Sequence, residues 1–310
     1  MKTFRINSTT SFNEPGLNLA IGNFDGVHVG HQVVIKKLVK ESKKINFKSA
    51  ILSFMPHPRQ YFTNNYEDFN IIDENEKITL FKNLNIDYYI SLKFDSNLAS
   101  LSPEKFIQDI LVEKLKVKNI TVGYDFKFGK DRKGNTDLLQ KLSNQYNYKV
   151  SIIDQIKSEK DSLVYSSSLI RKKIKEGDFE GVSSMLGRNW RLSGEVIHGD
   201  KRASKINFPT ANIIPKKIIK PKRGVYAIKA IYLNNLYKGI ANFGYRPTIK
   251  GKILLLEAHL FNFDQNIYSK DLTVEFLTFI REEKKFNDFT SLTKQIQKDI
   301  QIVKKYHSEK

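Results

Sequence analysis

The stretch that most constrains this chain is residues 17–31, LNLAIGNFDGVHVGH. Apolar residues alternate with smaller or polar ones from Leu17 to Ile21, which predicts a strand, and a helical periodicity begins at Gly30. Glycines turn the backbone between these two segments. A strand, a glycine-bearing turn and the start of a helix bring unpaired backbone N–H groups together at one point, where an anion can bind. The stretch therefore predicts a nucleotide-phosphate site.

Two histidines lie in this stretch, at positions 28 and 31. Because they are three residues apart, both side chains can face the phosphate. The same pair could ligate a metal, but a zinc helix of the H-E-x-x-H type places its histidines four apart with a glutamate between them. Gly30 leaves room for a phosphate close to the backbone. We therefore expect His28 and His31 to donate hydrogen bonds to phosphate oxygens.

Composition limits the classes of function. A length of 310 residues suggests about two domains. No apolar run approaches the roughly 20 residues that span a bilayer, and residues 1–8 lack the apolar stretch of a signal peptide. We therefore expect a cytoplasmic protein with no membrane partner. The net charge of +19 raises nucleic acid as a partner, but the lysines are spread along the chain without a sustained basic tract. A general surface bias is the favoured interpretation, with no nucleic-acid partner.

Strands and helices alternate through the first half of the chain. The pattern predicts strands near 49–54, 86–92, 120–122 and 148–153, with helices near 73–84, 102–115 and 136–144. Such alternation predicts parallel βα units and a doubly wound sheet, the Rossmann-like α/β class. The prolines at 56 and 58 stiffen the loop at the carboxyl end of one strand, where open α/β sheets bind ligands. A P-loop at 123–135 is excluded, because the glycine spacing is wrong and Asp131 replaces the Ser/Thr.

A run of three serines, 166–168, precedes another helical segment. Hydroxyls at a helix N-terminus usually act as caps. Here Arg171 follows on the next turn, so the same residues also predict a second site for an anion. The two helix N-termini together are suited to hold a triphosphate.

The pattern changes near residue 186. Short alternating strands near 192–197, 224–232, 237–243, 254–261 and 272–277 predict a closed antiparallel barrel, followed by a helix at about 292–305. Thr210 and Asn212, two apart on an extended segment, share a face, and their oxygens suit Mg²⁺. Glu257 interrupts an apolar strand, which is costly unless the carboxylate is hydrogen-bonded or faces a cavity.

Several of these motifs together resemble one family. The runs 22–31 (GNFDGVHVGH), 54–58 (FMPHP), 122–129 (VGYDFKFG) and 166–171 (SSSLIR) are similar to those of bacterial bifunctional riboflavin kinase/FAD synthetases, whose first half belongs to the HxGH nucleotidyltransferases. The runs 208–212, 239–248, 256–260 and 281–286 look like the riboflavin kinase module of that family. The resemblance implies an FMN adenylyltransferase domain at 1–185 and a β-barrel riboflavin kinase domain with a terminal helix at 186–310.

The resemblance also implies a substrate set and site residues. The substrates are riboflavin, FMN and ATP, with Mg²⁺ as cofactor, and FAD is the final product. In the adenylyltransferase, catalysis falls to His28 and His31, ATP binding to Gly22, Asn23, Phe24, Asp25, Gly30, Ser167, Ser168 and Arg171, and flavin binding to Pro56, Pro58 and Asp125. In the kinase, Glu257 is the general base, Lys205, Thr210 and Asn212 bind ATP, Thr210 and Asn212 hold the metal, and Arg281 binds flavin.

One segment departs from the family pattern. The bacterial sequence before P-T-A-N usually reads G-R-x-x-G-F, whereas residues 203–208 here read ASKINF. Ser204 and Lys205 resemble the form in monofunctional eukaryotic kinases, so Lys205 is expected to take over the phosphate contact. Two alternatives stay open: an enzyme with only the adenylyltransferase active, or a basic nucleic-acid-binding protein on a nucleotidyltransferase scaffold. The sequence leaves the oligomeric state undetermined.

Overall fold

The structure, a computed structural model, describes residues 1–14, 16–64, 68–157, 164–198, 208–248 and 251–309. By packing, the chain divides into two compact units, Met1–Ser167 and Ser168–Lys310. No helix in the described ranges has the length and apolar character needed to cross a membrane.

The first unit is built on a parallel six-stranded sheet. Its strands are β1 (Lys2–Ile6), β2 (Leu17–Ile21), β3 (Lys48–Met55), β4 (Tyr88–Lys93), β5 (Val117–Gly123) and β6 (Lys149–Ile153). The strand order is β1-β4-β3-β2-β5-β6, and every pairing is parallel. The chain moves from β2 outward through β3 and β4, and then returns to the other side of β2 with β5. The switch point of the sheet therefore lies between the carboxyl ends of β2 and β5, where open α/β sheets bind ligands.

Helices connect these strands and cover both faces of the sheet. They are α1 (Val29–Ile45), α2 (Pro58–Thr63), α3 (Glu74–Asn83), α4 (Ser96–Ser100), α5 (Pro103–Lys105) continued by a π-helix (Phe106–Lys114), and α6 (Thr136–Tyr146). On one face, Leu19 of β2 shares a core with Ile107 of the π-helix and Leu139 of α6. On the other face, the Asn18 amide donates to Leu38 O and to Ser42 Oγ of α1 at 3.3 and 2.9 Å. The α/β prediction is confirmed.

The predicted helix at 102–115 differs from the observed one. It begins as expected, with Ser102 capping the N–H of Lys105 and Pro103 in the first turn. From Phe106 it continues as a π-helix, in which Leu115 N donates to Ile110 O at 3.0 Å. A wider turn of this kind leaves the apolar periodicity nearly unchanged, so the sequence pattern does not distinguish it from an α-helix.

The second unit is a closed antiparallel barrel. Its strands are β7 (Trp190–Ile197), β8 (Ala211–Ile213), β9 (Gly224–Tyr232), β10 (Asn235–Thr248), β11 (Gly251–Leu260) and β12 (Asp271–Arg281). They close in the order β10-β11-β8-β7-β12-β9. The predicted barrel is confirmed, and the short strand β8 completes it.

Helices pack on the barrel at its end and on its outer face. These are α7 (Ser167–Glu176), α8 (Phe179–Leu186) and α9 (Phe289–Glu309). Phe179 of α8 contacts the rings of Trp190, Tyr226 and Phe276, with centroids 5.0 to 5.6 Å apart, and so closes the barrel core. On the outer face, Val225 belongs to an apolar cluster with Val303 of α9. The side chains that point outward from these strands therefore pack against α9.

Candidate active sites in the two units

The turn between β2 and α1 has a strained backbone. Phe24 and Val27 have φ of 47° and 42°, in the left-handed region that costs energy for residues with a side chain, and most for a β-branched one. Gly26 between them has φ of 84°. Val27 N donates to Phe24 O at 3.0 Å and closes the turn. Backbone strain of this kind persists only where the surroundings hold it in place, and it is concentrated at functional sites.

The side chains of Asn23 and Asp25 hold this turn to its neighbours. Asn23 Oδ1 accepts a hydrogen bond from Phe54 N at 3.2 Å. The Asp25 carboxylate, 3% exposed, accepts from Ile71 N through both oxygens, at 2.9 and 3.0 Å. The buried Lys77 donates from Nζ to Asn23 O at 3.0 Å. These contacts position the turn, and contact of either side chain with ATP stays a prediction.

His28 and His31 lie together at the N-terminus of α1. Their rings are stacked, with centroids 3.5 Å apart and an angle of 20° between planes. His28 is 5% exposed and is the N-cap of the helix, since its Nδ1 accepts from His31 N at 3.3 Å. The expected grouping of both imidazoles beside a helix N-terminus is thus present in the structure. Their roles in catalysis stay a prediction.

Two glycines at the ends of this turn, Gly22 and Gly30, are packed against aromatic rings. A Cβ on Gly30 would lie 3.1 Å from the His28 ring and 3.3 Å from Tyr165 Cβ, which is tighter than ordinary contact. A Cβ on Gly22 would lie 3.3 Å from the Phe24 ring. Gly30 therefore leaves room for the His28 ring, and the expected room for a phosphate beside Gly30 stays a prediction.

The remaining residues predicted for adenylyl transfer fall into three places. Pro56 and Pro58, both half-buried, lie where β3 runs into α2, and the exposed Asp125 lies just after β5. Ser167 donates from Oγ to Asp25 O at 2.8 Å, which links it to the turn. Ser168 and Arg171 lie in the first turns of α7 and belong to the second unit. Their contacts with substrate stay predictions.

In the second unit, Asn212, Glu257 and Asn242 form a row across three strands. Glu257 of β11 pairs directly with Asn212 of β8 and with Asn242 of β10. Directly opposed residues point to the same face of an antiparallel sheet. Asn242 in turn pairs with Val225, which belongs to the cluster with α9, so the row lies on the outer face of the barrel. The predicted base and one predicted metal ligand are thus neighbours.

Thr210 and Asn212 offer a donor set that fits Mg²⁺. Both supply oxygen, a hydroxyl and an amide carbonyl, which this cation prefers. Asn212 is 7% exposed, and its amide nitrogen donates to Thr210 O at 3.5 Å. Within the described part of the chain, neither the Thr210 hydroxyl nor Asn212 Oδ1 makes a hydrogen bond, so both oxygens are available as ligands.

Glu257 is held by an arginine that the sequence analysis left without a role. Arg246 of β10 directs Nε to Glu257 Oε2 at 2.8 Å, and its Nη2 contacts the same oxygen. Its Nη1 donates to Glu283 Oε1 at 3.2 Å. Burial lowers the pKa of the Arg246 guanidinium, but the bonds to Glu257 and Glu283 outweigh it and the pKa is raised. Arg246 and Glu283 lie in the runs 239–248 and 281–286, which resemble the riboflavin kinase module. That resemblance was the only indication in the sequence analysis that these two residues have a function.

Two further kinase predictions have different outcomes. Arg281, predicted to bind flavin, has its guanidinium bound to the buried Asp299 of α9 through Nε and Nη2, at 2.6 to 3.0 Å. This pair fastens the end of β12 to α9, and a flavin contact of Arg281 stays a prediction. Lys205 and the loop 203–207 lie outside the described residues.

Comparison with known proteins gives matches along nearly the whole chain. A model of the FAD synthetase family matches residues 11–168, and a model of the riboflavin kinase family matches residues 186–307. Relatives named bifunctional riboflavin kinase/FMN adenylyltransferase include one from Buchnera aphidicola subsp. Schizaphis graminum, 41% identical over 93% of both chains. Others come from Haemophilus influenzae, 39% identical over 94% of both chains, and Escherichia coli K12, 33% identical over 96% of both.

A solved structure has the same fold over its full length. It is described as a macrolide-efflux protein from Streptococcus pneumoniae, and it is 27% identical with a TM-score of 0.85, covering 97% of this chain and 98% of its own.

Proposed function

The chain belongs to the bifunctional riboflavin kinase/FMN adenylyltransferase family, and from this premise we propose which residues carry its two reactions. The enzyme phosphorylates riboflavin with ATP to give FMN, and then adenylylates FMN with a second ATP to give FAD and pyrophosphate. The alternatives of a single active half or a nucleic-acid-binding protein are not favoured. Both reactions consume ATP, which supports a cytoplasmic location. We expect no nucleic-acid or membrane partner.

We assign adenylyl transfer to the proposed domain 1–185. An oxygen of the FMN phosphate attacks the α-phosphorus of ATP, the bond to the bridging oxygen breaks, and pyrophosphate leaves. FMN already carries its nucleophile, so the protein needs only to align two anions and stabilise the charge that spreads onto the α-phosphate and the leaving group. The stacking of His28 on His31 at the N-terminus of α1 supports this role for the two imidazoles. Ser167, Ser168 and Arg171 are proposed as further ATP contacts, and Pro56, Pro58 and Asp125 as the flavin side.

We assign phosphorylation to the outer face of the barrel. The Glu257 carboxylate takes the proton of the ribityl hydroxyl as that oxygen attacks the γ-phosphorus of ATP, and ADP leaves. Thr210 and Asn212 would hold Mg²⁺ together with the ATP phosphates, and the cation neutralises charge on the phosphoryl group when bound. The proposed domains are 1–185 and 186–310, which is supported by the start of the riboflavin kinase match at 186.

The direct pairing of Glu257 with Asn212 carries the kinase assignment. It brings a proton acceptor to a metal-ligand candidate on one face, and either residue alone would be unremarkable on a strand. Glu257→Gln should lower FMN formation from riboflavin by about 100-fold or more, because the amide accepts no proton at neutral pH. FAD formation from supplied FMN should be unchanged in the same variant, which serves as its own folding control. A riboflavin kinase rate within threefold of the parent would rule out Glu257 as the base.

A further inference from the structure

The geometry around Glu257 points to a function for Arg246. We propose that Arg246 is a positioning residue of the kinase reaction, which holds Glu257 by one oxygen and presents the other to the ribityl hydroxyl. The inference rests on the proposed function of Glu257 as general base. Arg246 acts through Glu257 in this proposal, and it does not touch the reacting atoms.

The two hydrogen bonds from Arg246 converge on a single atom. Nε and Nη2 both donate to Glu257 Oε2. Glu257 Oε1 has no hydrogen-bond partner among the residues that the structure describes. A planar guanidinium that grips one oxygen from two positions fixes the rotation of the carboxylate, which a single donor does not do. The carboxylate is therefore set with one oxygen occupied and the other open to accept a proton.

Arg246 also holds the segment that follows β12. Its Nη1 donates to Glu283 Oε1 at 3.2 Å, and a Cβ on Gly244 would collide with that carboxylate. Gly244 thus leaves the space that the Glu283 carboxylate occupies beside Arg246. The same segment is fastened at Glu282, which pairs with Lys222 at 2.8 Å. One guanidinium therefore links the base on β11 to the segment that directly follows Arg281, the residue predicted to bind flavin.

The step that this arrangement serves is balanced without any further reactant. The ribityl oxygen forms a bond to the γ-phosphorus, and its proton passes to Glu257 Oε1. The bond from the γ-phosphorus to the bridging oxygen breaks, and the electron pair leaves with ADP. Arg246 neither gains nor loses a proton, and its contribution is to the angle from which Oε1 approaches the hydroxyl.

The first test separates positioning from stability in the full-length enzyme. Arg246→Met should lower kcat for FMN formation by about 30- to 100-fold, the scale of a small misplacement of a catalytic group, with both KM values within about threefold. Arg246→Lys should recover part of kcat, since an ammonium can bind Oε2 but cannot grip it from two positions. Arg191 offers a matched control, because its Nε and Nη2 also converge on one oxygen, Glu275 Oε1, at 2.9 and 2.7 Å. Arg191→Met should leave kcat unchanged.

The second test distinguishes failure of this inference from failure of the proposed base. If Arg246 acts only through Glu257, Arg246→Met should cost no further rate in a Glu257→Gln background. An equal loss in both backgrounds would overturn the inference and leave Glu257 as base. A fully active Glu257→Gln would refute the proposed function itself. Arg246→Lys replaces Arg246→Met in this cycle if the methionine variant does not fold. Arg246→Met with parental kcat, or with a loss matched by Arg191→Met, would also overturn the inference.

Discussion

His28 combines a structural and a catalytic role, and two substitutions separate them. His28→Ala removes the cap of α1 and the ring, whereas His28→Asn removes the ring but supplies a side chain that caps helices well. In the structure, the cap is the hydrogen bond from His31 N to His28 Nδ1 at 3.3 Å. The His28 ring is 5% exposed and is stacked on the His31 ring. Both variants should lose FAD formation, and His28→Asn should lose less stability than His28→Ala.

The magnitudes follow from these contacts. Loss of an N-cap costs about 1 kcal/mol. Loss of the buried ring adds about 1–2 kcal/mol, less than the roughly 3–5 kcal/mol for a larger phenyl ring. His28→Ala should therefore lower the free energy of unfolding by about 2–3 kcal/mol, and the melting temperature by about 5–10 °C. Loss of a donor to the transition-state charge should slow FAD formation from FMN by about 10²- to 10³-fold in both variants.

The assay follows FMN conversion to FAD by chromatography, with thermal unfolding on the same samples. Riboflavin phosphorylation by the same chain should be unchanged and controls for enzyme concentration. His28→Asn should recover about 1 kcal/mol of stability over His28→Ala and no rate. If His28→Asn made FAD within threefold of the parent rate, the imidazole would have no catalytic role and His28 would be a cap alone.

Three further predictions concern other contacts. Asp25→Ala removes the acceptor of the Ile71 N–H and should lower the free energy of unfolding by about 2 kcal/mol. Asp25→Asn keeps an oxygen and should recover most of that loss. Equal melting temperatures for the two variants would contradict a stabilising role for this hydrogen bond. Asn212→Ala should raise the Mg²⁺ concentration for half-maximal kinase rate at least severalfold without changing that for adenylylation, and an unchanged Mg²⁺ titration would remove Asn212 as a ligand. Burial lowers the pKa of His307 below its ordinary 6.5, so the fold favours the neutral imidazole, and the stability present above pH 6.5 should fall as the pH drops below that value. Between pH 7.5 and 5.5, the free energy of unfolding should fall less in His307→Gln than in the parent. An equal fall in both proteins would contradict this role of His307.

Local patterns in the sequence predicted the elements of the first site well. The alternation at Leu17–Ile21 and the helical period after it correspond to β2 and α1, because both patterns come from residues near in sequence. The anchors of the turn could not be found in this way. Asp25 is held by Ile71, and Asn23 by Lys77, residues about fifty positions away, and their meeting depends on the packing of the loop before α3 and of α3 itself.

In the barrel, the missing information was the strand register. Alternating patterns predicted most strands, but the short strand β8 has only three residues, too few for a period to be read. Its pairing with β11 places Asn212 opposite Glu257. The sequence alone does not indicate that Arg246 lies close to Glu257. The arginine reaches Glu257 because β10 and β11 form a hairpin in which position 242 opposes position 257.

The central claim is that each proposed domain carries one reaction, and mixing two defective enzymes tests it most directly. With riboflavin and ATP, the double variant His28→Ala, His31→Ala should form FMN but no FAD, and Glu257→Gln should form neither. An equal mixture of the two should form FAD, because FMN released by the first is a substrate for the second. Loss of FMN formation in the double variant, or loss of FAD formation from supplied FMN in Glu257→Gln, together with no FAD from the mixture, would contradict the assignment of separate sites.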